Sequence, residues 1–171
     1  MRRFEHSSKL EPQQFAIRRD RKIMKVKSVS NDLADRLITP LHRQWFEMYF
    51  GAGLRWYSPE IDSIHTVHGM YIIRGYPYYW LRVSGGARYR SKPTWQMFPS
   101  VCFDVIDSRV SKYWVSDVRV IERQGDQFFR CMFGIDKWIN EPGFWERVVD
   151  GDKDAHDTMT MASYMMDMEF E

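Results

Sequence analysis

Residues 54–134 repeat one pattern: short runs of β-branched and aromatic residues, each closed by Gly, Pro, Asp or Ser. Such runs suit a pleated, half-buried surface and crowd a helix, so this stretch limits the fold more than any other. The runs LRWY, HGMYIIR, YYWLRVS, SVCFDVID, YWVSDVRVIER and QFFRCMFG predict a strongly curved, mainly antiparallel sheet of about five or six strands. Turn signals stand between them at Gly75-Tyr76-Pro77, Ser84-Gly85-Gly86 and Gln124-Gly125-Asp126, the last marking a hairpin. The segment GGARYRSKPTWQMFP has no clear period and reads as a surface loop.

Helical signals flank the strand-rich centre. Ser30 and Asn31 can cap NDLADRLI, and Thr39-Pro40 can open a second helix that places Leu41, Trp45, Met48 and Tyr49 on one face before Gly51 and Gly53. The spacing predicts a helix over residues 41–50 that covers one face of the sheet. Near the end, Glu141-Pro142-Gly143 can start FWERVVDG, and the acidic DGDKDAHD can lead into TMTMASYMMDME. Met159, Met161, Met165, Met166 and Met168 crowd that last helix, where they can fill a core gap or adapt to a partner. The expected fold class is α+β, one globular domain over residues 29–171 that follows a basic segment over residues 1–28.

At 171 residues, with 44% hydrophobic and 28% charged side chains, the chain has the size and composition of one ordinary domain. Cys102 and Cys131 lie in apolar runs, too few for a disulfide framework, and read as reduced core residues. The N-terminus has no apolar stretch of the secretory type, and no apolar run reaches membrane-spanning length. The expected setting is cytoplasmic, with no membrane.

Charge is polarised. Residues 1–28 carry nine Lys or Arg against three acids, and residues 150–171 carry seven acids against one Lys. The cluster with Arg18, Arg19, Arg21 and Lys22 can contact phosphates, because clustered cations release counterions from nucleic acid. Aromatic and cationic residues also interleave in RGYPYYWLR and ARYRSKPTW, a mixture that serves a core, a protein interface or base stacking.

Catalytic and metal patterns fail on inspection. His65 and His68 form HTVH, but in a strand these positions face opposite ways, which separates them as ligands. Asp150, Asp152 and Asp154 open like a calcium loop, yet Ala155 and Met161 occupy the positions that need Gly and Glu. Neither cysteine has an electropositive setting, and no phosphate-cradling, dinucleotide, nucleophile-elbow or C-x-x-C motif occurs. No cofactor, metal or catalytic residue is assigned.

In size, tryptophan content and acidic C-terminus the chain is similar in type to small inhibitor or immunity proteins, without a diagnostic motif. The expected function is therefore stoichiometric binding of a macromolecular partner, most plausibly another protein that it inhibits or neutralises. The candidate contacts are Tyr89, Arg90, Trp95, Asp152, Asp154 and Asp157. The alternative is a nucleic-acid-binding module using the basic arm. A third reading is a hydrolase-type enzyme in which His65 or His68 meets Asp104 or Asp107.

Overall fold

The computed structural model describes residues 23–30, 36, 39–40, 43–44, 59–83, 94–123 and 125–169. Within them lies one open, curved antiparallel sheet of seven strands with helices at its C-terminal end, an α+β fold. The strands are β1 (Lys25–Ser28), β2 (Ile64–Ile73), β3 (Tyr76–Val83), β4 (Thr94–Pro99), β5 (Phe103–Asp107), β6 (Trp114–Arg123) and β7 (Asp126–Ile135). The helices that follow are α1 (Asp136–Asn140), α2 (Phe144–Val149) and α3 (Lys153–Met168).

Strand β2 organises the sheet. Its ten residues span roughly 34 Å at strand rise, enough to take two partners in succession along one edge. Residues 64–66 pair with β1, which continues to β5, while residues 70–73 pair with β7, which continues to β6. The opposite edge of β2 pairs with β3, and β3 with β4. The sheet thus divides into two branches near residue 68. At that point Val67 faces Leu81 while Gly69 faces Trp80, so His68 is the extra residue of a β-bulge.

Trp138, from α1, fills the place where the branches part. A Cβ on Gly69 would sit 2.2 Å from the Trp138 ring, and one on Gly134 2.4 Å from it. These two glycines stand one step beyond the Met70↔Phe133 pair of β2 and β7. Both strands therefore give up a side chain so that the indole can lie on their backbones. Trp80 and Trp145 close around it, with ring centroids 5.1 and 5.8 Å from Trp138 and 4.0 Å from each other.

The sheet is covered on both faces. Trp80 joins a cluster of Trp95, Trp138, Ile139, Phe144, Val148, Met159 and Met166 under the helices. Tyr79, Leu81 and Val83, which alternate with it along β3, belong to a second cluster with Val26, Val67, Phe98 and Phe103.

Most strand expectations are met within a residue or two, and the β6–β7 hairpin is present with a two-residue loop between Arg123 and Asp126. Other details differ. Two strands escaped notice, β1 inside the basic segment and β4 inside the expected loop. The β2–β3 turn sits at Arg74-Gly75, one residue earlier than expected, because both residues take positive φ (53° and 84°), as a two-residue hairpin of matching twist requires. SVCFDVID begins with a 3-10 turn at Ser100–Cys102 before the strand. Cys102 is buried, but Cys131 is only half-buried. Of the helix expected over residues 41–50, Arg43 and Gln44 are described and helical, and the Arg43 N–H donates to the Thr39 carbonyl at 3.1 Å. The rest of that helix and the LRWY run lie outside the described residues.

Gly134→Ala forces a Cβ into the Trp138 ring, and overpacking of this kind costs about 1–3 kcal/mol. Gly125→Ala meets no atom within 4 Å and pays only for its positive φ, about 1 kcal/mol. Urea denaturation of both variants should rank Gly134→Ala as the more damaging; equal losses would dissociate Trp138 from the branch point.

Candidate binding surfaces and cleft

Helix α3 has two apolar faces. Asp152 caps it, its carboxylate accepting from the Ala155 N–H at 2.8 Å, and Asp154 in the first turn complements the helix dipole. Ala155, Met159, Ser163 and Met166 follow at helical spacing and are buried against the sheet. The opposite face carries Met161, Tyr164, Met165 and Met168, spaced i, i+3, i+4, i+7, all exposed and with Met161 at 60% and Tyr164 at 56%. Asp157 and Asp154 continue this outer face one turn and two turns toward the N-terminus. Asp157 holds Lys153 at 2.5 Å, and that contact lowers its carboxyl below the ordinary value.

Four polar contacts fasten the helix to the rest of the fold. The buried Trp95 indole N–H donates to Ser163 Oγ at 2.9 Å. The buried Ser111 hydroxyl donates to Glu169 Oε2 at 2.7 Å, and the Lys112 N–H to Oε1 at 3.0 Å. Asp167 reaches the bulged residue His68, with Oδ1 3.6 Å from Nε2, an electrostatic contact longer than a hydrogen bond. Burial raises the Asp167 carboxyl, but His68, Thr66 and Arg82 together outweigh it and hold the group below its usual value. Two acids of the polarised C-terminus thus tie α3 to the sheet and to the segment before β6, although Asp167 stays exposed.

These positions correct part of the sequence reading. Trp95 is 4% exposed, with Arg82 over its ring at 5.7 Å and His156 against its edge, so it is a core residue and no surface contact. Asp152 serves α3 as its cap, while Asp154 and Asp157 are exposed. Tyr89 and Arg90, and Arg18, Arg19, Arg21 and Lys22, lie outside the described residues.

The His and Asp residues of the enzyme reading do not meet as expected. His65 is on β2 and Asp104 and Asp107 on β5, with β1 between them, a separation of about 10 Å across two strand spacings. Asp107 is taken by Arg109, which donates from Nε at 2.9 Å and Nη2 at 2.5 Å. His65 Nε2 instead lies 2.6 Å from Ser63 Oγ. The Ser63 hydroxyl has one proton, which it donates to the Glu60 carbonyl, so the ring N–H donates to the serine. That polarity staples a turn and does not activate a nucleophile. Burial, and after it the His68 charge, lowers the His65 pKa. Among the described residues no three His, Cys, Asp or Glu side chains cluster as a metal would need, and no helix is long and apolar enough to cross a membrane.

Two further surfaces escaped the sequence. On the outer side of the β6–β7 hairpin, Val120 faces Phe129, which is 68% exposed, beside Val118. On the side toward the helices, a cleft of about 500 Å³ opens between the sheet and the α1–α2 connection. Tyr71, Trp80, Met97, Arg119, Arg130 and Met132 come from strands, and Trp138, Glu141, Trp145 and Glu146 from the helical side. The two-residue loop fixed the hairpin register, and with it the Arg119↔Arg130 pairing, but the wall from α1 and α2 depended on tertiary packing.

No protein-family model matches the chain, and no curated protein or solved structure matches it.

Asp167 has a folded-state value below its ordinary 3.8, so its stabilising contact is complete above about pH 5 and lost as pH falls through the lower folded value. Asp167→Asn should therefore melt below the wild type at neutral pH, and the gap should close toward about pH 3. Melting curves across that range check the assignment; a gap independent of pH would give the loss to packing instead.

Proposed function

We propose that the protein is a small binding module that associates stoichiometrically with another protein through the outer face of α3, and that it inhibits or neutralises that partner. The observation that supports this reading is the exposed stripe of Met161, Tyr164, Met165 and Met168 on a helix whose opposite face already satisfies the core. A helix exposing four large apolar side chains in register gives up burial worth roughly 1.5–3 kcal/mol for each. Clustered exposure of this kind marks an interaction surface more often than scattered single residues do. Methionine supplies an adaptable contact and Tyr164 a rigid one, both frequent at interface centres.

The acids Asp154 and Asp157 at the head of the stripe favour a partner that is apolar at its centre and basic at one end. Helix-in-groove recognition uses this i, i+3, i+4, i+7 arrangement. An intracellular setting and an inhibitory outcome belong to the same proposal, and they draw on the free cysteines and on the small, motif-poor chain.

Tagged protein should retain one protein near equal stoichiometry from a lysate after nuclease treatment. Met161→Glu with Met165→Glu should leave the fold intact, since both residues are exposed, and should weaken that complex at least about tenfold by calorimetry. Phe129→Ser, on the hairpin, should leave it unchanged. Loss of binding in Phe129→Ser alone would move the interface to the hairpin. Capture that disappears with nuclease would favour nucleic-acid binding through Arg18, Arg19, Arg21 and Lys22.

A further inference from the structure

The aromatic cleft between the sheet and the α1–α2 connection carries features that the fold does not need. Arg119 and Arg130 are direct cross-strand partners on the β6–β7 ladder. Like charges placed opposite each other destabilise a sheet. Asp117 relieves one of them, its Oδ2 2.6 Å from Arg119 Nε. Arg130 has no carboxylate partner among the described residues; its Nη1 donates to the Tyr71 hydroxyl at 3.2 Å, and its guanidinium lies 5.7 Å over that ring. Its Nε is buried with no acceptor, and so is the Nε1 of Trp80, another lining residue. Both atoms are closed off from solvent and do not open into the cleft, but the Arg130 guanidinium at the cleft wall carries a charge that no carboxylate among the described residues balances.

We infer that this cleft binds a small aromatic monoanion, a planar ring bearing a carboxylate. The oxygens would accept from the Arg130 guanidinium, and the ring would lie among Trp80, Trp138, Trp145 and Met132. A volume of about 500 Å³ suits such a ligand, since small-molecule sites occupy roughly 300–1,000 Å³. The remaining charges decide for a single negative charge. Glu141 is already paired with Arg147, but Glu146 is an exposed carboxylate on the same lining without an ion pair among the described residues, and it opposes a dianion such as a phosphate monoester. The cleft and its ligand are independent of the α3 face, so either reading can fail alone.

Calorimetry with 1-naphthoate, its neutral counterpart 1-naphthylmethanol and adenosine monophosphate tests the inference on the full chain. Naphthoate should bind with a Kd below about 1 mM, and the alcohol at least about tenfold more weakly. Arg130→Gln should weaken naphthoate about tenfold or more, leave the alcohol unchanged, and not lower the thermal midpoint of the free protein, because it removes a like-charge pair. A structural arginine would behave oppositely, losing thermal stability on substitution. Arg130→Lys, which keeps the charge but loses the planar fork, provides a second test if the first variant does not fold, and it should also weaken naphthoate. Equal binding of acid and alcohol, unchanged naphthoate affinity in both variants, or tighter binding of the phosphate would each overturn the assignment.

Discussion

The packing of Trp138 onto Gly69 and Gly134 is the contact on which the rest of the architecture depends. A ten-residue strand can hold two different neighbours on one edge only if something fills the angle between them, and a flat indole on two bare backbones does so. Because α1 follows β7 directly, seating Trp138 at the branch also fixes where α1 begins. Ile139, Phe144 and Val148 are then drawn into the same cluster. The cleft wall and the inner face of α3 are downstream of that choice. A larger residue at either glycine would press on the indole, and the branch, α1 and Trp145 would have to move together.

Local chemistry foretold the parts that need only local information. The β6–β7 hairpin follows from two alternating runs and one glycine with positive φ. Strand β1 was hidden because its lysines dominated the reading, although Lys25, Val26, Lys27 and Ser28 alternate half-buried and buried, the period of a strand. Strand β4 was hidden by the cations around Tyr89 and by its short, uneven run, and its partner β3 supplies the register that its own residues do not announce. Helix α1, at five residues, is shorter than any pattern of period 3.6 can reveal, and its anchor Trp138 packs on Gly69, which is far away in sequence, as well as on the nearby Gly134.

The site residues divide in the same way. Asp154 and Asp157 lie at the surface, where a short acidic run is expected to stand. Asp167 and Glu169, from the same acidic stretch, engage His68 and Ser111 on distant segments instead. Trp95 looked like an interface aromatic beside cations. The indole N–H decided otherwise, since Ser163 in the middle of α3 offers a buried acceptor, and satisfying a polar atom inside is what permits a tryptophan to be core. The density of methionines in α3 was visible, but which of them face outward depends on where Trp95 meets the helix.

What remains after the core is accounted for is a short set of choices that folding alone does not favour. Local propensity, packing and polar satisfaction agree over most of this molecule, and where such agreement breaks, function is the usual compensation. It breaks at the outer stripe of α3, where four apolar residues repeat in register without a contact that burial would reward. It breaks again at Arg119 and Arg130, a like-charged pair beside an aromatic wall in which Arg130 has no carboxylate partner among the described residues and its buried Nε has no acceptor. An Asp at the head of the stripe and a Tyr beneath Arg130 are polar complements that chance exposure would not require. The two departures are chemically distinct, one apolar and acidic, the other cationic and aromatic. A single ligand could not satisfy both, so the contact proposed at α3 and the guest proposed for the cleft are separate and each stands on its own observations.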